Sequence, residues 1–286
     1  SMEIIKELEI EPRGVYTGAI GYFYQDEAVF NVPIRTLVIK NDSHGEMGVG
    51  SGIVWDSDYL REYKECKLKA KFLKDKFIDF DILETILFQK NKYRLLDLHL
   101  KRIENSAKYF QFPFQKKLTL NLLEENKEIL KEYGFKKSKV RLLLSKSGEM
   151  TIENYLIETS KKSGKIKLYS KKVDSENKFL YHKTTNRHFY NLVYEEAKKN
   201  DLVDMIFLNE REEITEGCIH NLFIRIGKKV FTPPLSCGIL GGTYREYLLN
   251  KYDFIHEKIL FFDDLKNADD IYVVNSVSGI IRVKLV

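Results

Sequence analysis

The chain has little cysteine. Cys66, Cys218 and Cys237 are the only three in 286 residues, and none stands at metal-ligand spacing from another. An odd, low count excludes a disulfide framework and fits a reduced cytoplasm. Histidine is scarce too, six scattered residues that suggest no metal centre. No apolar run is long enough for a transmembrane helix, so no membrane association is expected. The opening Ser1-Met2-Glu3-Ile4-Ile5-Lys6-Glu7 lacks the apolar core of a secretion signal, and Ser1-Met2 reads like a remnant of expression cloning. Internal repeats and low-complexity linkers are absent. So is a dominant charge: 47 basic residues meet 42 acidic ones, for a net +5. The lysines are spread out, as in Lys161-Lys162 and Lys171-Lys172, without the aromatic interleaving of a nucleic-acid surface. A mild positive field still favours an anionic cofactor and a dianionic substrate. The length allows one large domain or two ordinary ones, and 43% hydrophobic residues suffice for real cores.

What is present centres on Lys183, in Tyr181-His182-Lys183-Thr184-Thr185-Asn186-Arg187. Downstream, Glu216 opens Glu216-Gly217-Cys218-Ile219-His220-Asn221. A glycine-rich turn follows, Gly238-Ile239-Leu240-Gly241-Gly242, and leads into the helix-like Thr243-Tyr244-Arg245-Glu246-Tyr247-Leu248. A lysine amine condenses with an aldehyde cofactor. A carboxylate beside a pyridine nitrogen keeps that ring protonated and electron-accepting. Glycines at a helix start let backbone N–H groups approach a phosphate. Each piece alone has a bland reading: a solvated lysine, a turn, an ordinary loop. Their joint order is what pyridoxal 5′-phosphate requires. His182 beside Lys183 is read as a packing or hydrogen-bonding residue rather than a catalyst.

Residues from about 77 onward resemble the fold-type-IV pyridoxal-phosphate enzymes. That family includes branched-chain and D-amino-acid aminotransferases and 4-amino-4-deoxychorismate lyases. The likeness rests on the three runs above and on Leu83-Glu84-Thr85-Ile86, His99 to Ala107, Lys139-Val140-Arg141-Leu142 and Asn275-Ser276-Val277-Ser278-Gly279. It implies that Lys183 bonds the cofactor and that Glu216 partners its ring nitrogen. It implies that Arg102, Thr243, Tyr244 and Ser276 hold its phosphate, and that Arg141 meets a substrate carboxylate. Gly241 stands where the family usually has proline, and Ser278 where lyase-like relatives often carry arginine.

The first seventy-odd residues resemble a different family, the chorismate-binding enzymes. The matching runs are Glu9 to Tyr22, Asn31-Val32-Pro33-Ile34-Arg35-Thr36, Gly48 to Ser57 and the helix Glu62 to Ala70. These are the closing motifs of anthranilate and para-aminobenzoate synthase component I. The likeness implies that Tyr16, Arg35 and Lys69 face chorismate and that Glu62 and Glu65 hold magnesium. Helical spacing independently puts positions 62, 65 and 69 on one face, although spacing alone suits a solvated face better. A whole domain of that family is several times longer, so this segment is expected to be an inactive C-terminal fragment, with no functional metal.

The expected organisation is a fragment over 1–75, a small lobe over 76–165 and a large lobe over 166–286. The joint is expected at Lys74-Asp75-Lys76, and a polar connector at Ser160 to Lys165. Strands are expected at Val15–Tyr24, Val29–Ile39, Gly52–Trp55, Phe77–Leu83, Val140–Leu144, Tyr155–Ile157, Met205–Leu208, Leu222–Arg225 and Ile271–Val274. Helices are expected at 93–110 with Asp97 as N-cap, at 117–133 ending at Gly134, and at 187–199. The fold class is α+β: a two-lobed, D-amino-acid aminotransferase-like enzyme behind an α/β fragment. The resemblance implies a lyase that converts 4-amino-4-deoxychorismate to para-aminobenzoate and pyruvate. Its rivals are an aminotransferase on the same scaffold and, for the amino-terminal segment, a structural or interaction module. A cytoplasmic homodimer is expected, with the missing synthase portion or a glutamine amidotransferase subunit as further partners.

Overall fold

A computed structural model describes residues 2–41, 44–74, 78–157 and 163–286. The chain divides into two compact units, Ser1–Phe77 and Ile78–Val286. Residues 75 and 76 of the expected joint, and 160–162 of the expected connector, lie outside the described residues.

The first unit runs α1 (Met2–Leu8), two antiparallel hairpins and a helix. The hairpins are β1 (Ile20–Tyr24) with β2 (Glu27–Asn31), and β3 (Leu37–Asn41) with β4 (His44–Met47); the helix is α2 (Tyr59–Lys74). The strands are shorter than their apolar content suggests. Residues 14–17 form a turn, with Gly14 and Thr17 at positive φ, and the first strand begins only at Ile20. Pro33, which has no N–H to give a ladder, and Arg35 at φ 54 split the expected Val29–Ile39 strand in two. Gly52–Trp55 forms no strand. Both strands of the first hairpin are exposed along their whole length.

The second unit holds two sheets. The smaller has strand order β6-β5-β7-β8, from β5 (Ile82–Gln89), β6 (Lys92–Tyr93), β7 (Lys137–Leu144) and β8 (Met150–Leu156). Strand β5 begins at Ile82, inside the expected Phe77–Leu83 run, because its continuous burial starts there. Strand β7 alternates strictly: Val140, Leu142 and Leu144 are buried, while Lys139 and Arg141 point to the opposite face. Helix α3 (Leu96–Phe110) lays Leu100, Ile103 and Ala107 on this sheet at helical spacing, and α4 (Lys116–Glu132) adds Leu123 and Leu130. The expected cap of α3 is corrected. Leu95, in the left-handed region, precedes the helix, and Asp97 sits inside its first turn. Gly134, at φ +68, follows α4 as expected of a C-terminal glycine.

The larger sheet has eight strands in the order β11-β10-β9-β16-β15-β12-β13-β14. They are β9 (Ser163–Leu168), β10 (Asp204–Leu208), β11 (Ile214–Gly217), β12 (Asn221–Ile226), β13 (Lys229–Thr232), β14 (Ile255–Glu257), β15 (Asp270–Asn275) and β16 (Gly279–Leu285). Residues 163–165, expected in a connector, are strand: they pair with Arg282–Lys284. Helix α5 (His188–Lys199) sets Val193 and Ala197 against Met205 and Phe207, and α6 (Thr243–Lys251) sets Tyr244 and Leu248 against Phe223 and Val274. A short α7 (Phe262–Lys266) precedes β15. The core of this sheet is a dozen buried aliphatic residues, Ile206, Leu222, Ile224 and Val273 among them.

Candidate active site

The segment bearing Lys183 is stitched to the start of β5 by three hydrogen bonds, two of which make an antiparallel bridge. Leu83 N–H donates to Lys183 O at 2.8 Å, Thr185 N–H to Asp81 O at 2.9 Å, and Asp81 N–H to Thr185 Oγ1 at 2.9 Å. Ile82 and Thr184 form an isolated antiparallel bridge. Just before it, His182 bonds Ser106 Oγ through Nδ1 at 2.9 Å and packs its ring 4.4 Å from Tyr109 and 4.8 Å from Phe110. That is a packing and hydrogen-bonding role. Lys183 is thereby fixed at the edge of a cleft of about 1210 Å³. Lys183, Glu216, Arg102, Thr243, Tyr244, Ser276 and Arg141 all line it.

The electrostatics of the two central groups run opposite to their ordinary values. Burial, with Arg187 and Arg102 nearby, pulls the Lys183 amine down to about 7. Burial raises the Glu216 carboxyl to about 8, against the pull of the Leu240 N–H and of Arg187. Glu216 is held by Leu240 N–H on Oε1 at 2.9 Å and by Asn221 Nδ2 on Oε2 at 2.7 Å. The amine is therefore substantially unprotonated, and the carboxyl mostly protonated, at neutral pH.

Opposite them, the glycine turn opens helix α6. Its first backbone N–H groups have no helical acceptor; the first intrahelical bond runs from Glu246 N–H to Gly242 O. Gly242 is required by close packing, since a Cβ there would lie 1.9 Å from Asn221 Oδ1. At Gly241 a Cβ would fit, meeting only Leu235 Cδ2 at 3.7 Å, so packing does not require glycine there. The Tyr244 ring packs inward in the α6 core, with Arg94 4.2 Å above it, so this residue offers the turn its amide rather than its ring. Ser276 Oγ donates to Thr85 O at 3.0 Å.

Arg102 sits in a network that the sequence motifs contain without displaying. It donates Nε to Glu84 Oε1 at 2.7 Å, Nη2 to Glu84 Oε2 at 2.6 Å, and Nη1 to Gly241 O at 3.0 Å. His99 Nδ1 meets Glu84 Oε2 at 2.6 Å, and His99 Nε2 lies 3.3 Å from Thr243 Oγ1. Arg102 and His99 hold the Glu84 carboxyl at about 2 despite complete burial. The signal was available: Glu84 is the one charged residue in the apolar run Ile82 to Phe88. A second buried carboxylate, Asp204, fixes the Glu216 turn. It accepts from Cys218 N–H at 2.7 Å, Ile219 N–H at 3.1 Å and His220 Nδ1 at 2.8 Å. Gly217 is needed beside it, because a Cβ would lie 2.5 Å from Asp204 Oδ2. No local pattern marks Asp204, which acts across strands. Arg141 is brought to the cleft by β7, where it pairs with Glu153 at 2.9 Å.

The donor set fits pyridoxal 5′-phosphate. It offers an amine whose burial favours the neutral form, a carboxyl whose burial favours the acid, and helix-start amides beside an arginine, arranged around one cleft. In the first unit, Lys69 Nζ contacts Glu65 at 2.6 Å and Gly50 O at 2.8 Å, and Glu62 accepts from Ser57 Oγ at 3.1 Å. Glu62 and Glu65 thus stand on one helix, but among the described residues no group of three or more His, Cys, Asp or Glu could hold a metal. No helix among them is long and apolar enough to cross a membrane.

Comparison with known proteins agrees with this construction. Residues 1–75 match the chorismate binding enzyme family. Over 74 residues the chain is 50% identical to anthranilate synthase component 1 3 of Haloarcula marismortui, but spans only 14% of that protein. It is 28% identical over 218 residues to a Schizosaccharomyces pombe protein assigned as an aminodeoxychorismate lyase, covering 72% of this chain and 90% of that one. It is 26% identical over 223 residues to the aminodeoxychorismate lyase of Bacillus subtilis, covering 70% and 75%. Among solved structures, a Mesorhizobium loti protein assigned as an amino-acid aminotransferase superposes with a TM-score of 0.67 at 32% identity, over 73% of this chain and all of that one. Residues 81–286 match amino-transferase class IV, and the chain belongs to that family.

Proposed function

We propose that the unit Ile78–Val286 is a pyridoxal-phosphate-dependent 4-amino-4-deoxychorismate lyase, which releases para-aminobenzoate and pyruvate. The observation that carries the cofactor dependence is the pairing of Lys183, drawn down to about 7, with Glu216, raised to about 8, across one cleft. The similarity to two aminodeoxychorismate lyases over most of their length supports the substrate. When bound, the cofactor supplies an electron sink conjugated to the substrate amine.

The residues divide the remaining work. Lys183 Nζ accepts the proton from the substrate carbon that bears nitrogen, and its depressed pKa leaves the amine free to do so at neutral pH. Glu216 would share a proton with the pyridine nitrogen of the bound cofactor, and burial keeps that proton in the site. Arg102, the amides of Thr243 and Tyr244, and Ser276 hold the phosphate end. The enolpyruvyl oxygen then leaves from the neighbouring carbon and the ring becomes aromatic, so the protein need mainly bind, orient and exchange protons. An aminotransferase would use the same lysine and glutamate. The discriminating experiment supplies 4-amino-4-deoxychorismate with no keto acid. Equal amounts of para-aminobenzoate and pyruvate support the lyase. Transfer between an amino acid and a keto acid, with no para-aminobenzoate formed, supports the rival.

Arg102 allows a separate test of the phosphate assignment. Arg102→Ala strands the buried Glu84 carboxylate, and the cofactor-free protein is expected to lose about 3–5 kcal/mol of stability. Cofactor affinity is expected to fall by about 1.5–3 kcal/mol through the lost charge-assisted bond. Arg102→Met combined with Glu84→Gln should recover much of the stability but none of the affinity. Chemical denaturation and cofactor titration read the two separately. Recovery of both would reduce Arg102 to a partner of Glu84.

For the first unit we infer no independent synthase activity. Lys69 and Glu65 are engaged with each other, and Arg35 is exposed. Mixing the protein with chorismate, magnesium and ammonia should give no 4-amino-4-deoxychorismate; detectable product would refute this. Ile10, Phe23 and Trp55 are 99%, 79% and 101% exposed, the composition of a surface that other protein covers. The remainder of a chorismate-binding domain or an amidotransferase subunit fits that surface, and a homodimer completes the reading. Light scattering on the purified chain tests the homodimer.

A further inference from the structure

Three arginines line the cleft, and their charges are not equally available. Arg102 balances the Glu84 carboxylate through two parallel bonds and gives Nη1 to Gly241 O at the glycine turn, where it is assigned to the phosphate. Arg141, the residue that resemblance assigns to a substrate carboxylate, is paired with Glu153 at 2.9 Å and lies 3.4 Å from Tyr155 OH. Arg187 differs. It precedes α5, lines the cleft and is only partly exposed, and its guanidinium lies 5.6 Å from the Tyr190 ring centroid. Among the described residues its guanidinium makes one hydrogen bond, from Nη2 to the Cys218 carbonyl. Among the described residues no carboxylate stands within ion-pair distance of it. A guanidinium has five N–H donors in a planar fork suited to a carboxylate. Most of that fork is left uncommitted beside Lys183.

We propose that Arg187, rather than Arg141, receives a carboxylate of the substrate in this cleft. Resting on the lyase reading above, the carboxylate is that of the enolpyruvyl group, the one nearer the reacting carbons. The Cys218 carbonyl fixes one edge of the fork and Tyr190 one face, which leaves the opposite edge for the ligand. The bond that breaks joins the ring carbon to the enolpyruvyl oxygen. The electron pair leaves with that oxygen, and the enolate takes up a proton to become pyruvate. Arg187 keeps its proton throughout and holds the departing carboxylate. Its presence also lowers the Lys183 amine, so the residue that orients the leaving group also readies the base.

The test measures binding of the two products separately on the cofactor-loaded protein, by ligand-observed NMR titration without turnover. Arg187→Gln is expected to weaken pyruvate by roughly 10–100-fold, the range of one charge-assisted bond. It should leave para-aminobenzoate and cofactor affinity within about twofold. Arg187→Lys, which keeps charge without the fork, should fall between. In turnover, the Gln variant should show raised KM for 4-amino-4-deoxychorismate. Unchanged pyruvate affinity in both variants overturns the proposal, and so does equal weakening of pyruvate, para-aminobenzoate and cofactor. If Arg187→Gln does not fold, the Lys variant decides: pyruvate binding equal to wild type overturns the proposal. If the wild type does not consume 4-amino-4-deoxychorismate, the lyase reading fails by itself. The contrast between pyruvate and para-aminobenzoate still decides the role of Arg187.

Discussion

Replacement of Lys183 by alanine is expected to lower turnover on the order of 10³–10⁴-fold or more while the protein still binds pyridoxal phosphate non-covalently. The reasoning starts from where the amine stands. The backbone of Lys183 is anchored to β5 by the bond from Leu83 N–H, and its amine is desolvated. The lysines at the rim, Lys139 and Lys198 among them, belong to β7 and α5 and are not held on β5 beside Glu216. Affinity is expected to survive in part because the proposed phosphate contacts come from α3, α6 and Ser276. Lys183→Arg keeps the positive charge but supplies no base at neutral pH, so it should be as inactive as the alanine variant. Activity in Lys183→Arg above a tenth of wild type would show that the amine acts only through its charge.

Glu216→Gln is expected to have the second largest effect, a loss of about 10²–10³-fold in turnover with cofactor affinity little changed. Glutamine's single oxygen can keep the bond from Leu240 N–H; its Nε2 cannot accept from Asn221 Nδ2, which still donates to Leu240 O, so the turn persists with one bond fewer. What it cannot do is give a proton to a ring nitrogen. The same substitution has a signature without cofactor. Glu216 titrates near 8 in the fold against 4.5 ordinarily, so the folded state binds the extra proton between those values. Its contribution to stability is complete below 4.5 and is lost as pH rises through 8. Lys183 runs the other way. Its folded value near 7, against 10.5, makes stability rise with pH between 7 and 10.5. Between pH 5 and 7, of these two groups, only the carboxyl contributes, and the histidines that titrate there are common to the wild type and the variant. Wild-type thermal stability should decline there more steeply than that of Glu216→Gln. Identical slopes would mean that Glu216 is ionised in the fold.

The parts of this site that were legible in the sequence are those carried by short contiguous patterns. Lys183, Glu216 and the glycine turn each lie in a run whose chemistry is readable residue by residue, and the structure brings all three to one cleft. Helices α3, α4 and α5 were readable because their apolar residues repeat at helical spacing over three or more turns. What was not legible depends on pairs distant in sequence. Asp204 organises a turn more than ten residues away, and nothing local distinguishes it from any acidic strand residue. The tie between Arg102 and Glu84 spans a helix and a strand. Arg187 stands four residues after Lys183 in a quoted motif, yet its availability appears only once Arg141 is seen paired with Glu153. The strands of the first unit were overestimated for a related reason. Apolar β-branched content marks extended chain, but Arg35 and Thr17 in the left-handed region break it, and only backbone geometry reveals that.

The most direct measurement loads the protein with pyridoxal phosphate, reduces it with borohydride and maps the modified peptide by mass spectrometry. The visible absorption band should disappear, and the reduced phosphopyridoxyl group should be found on Lys183 alone. A group on any other lysine, or a protein that acquires neither colour nor mass, would contradict the assignment of this cleft.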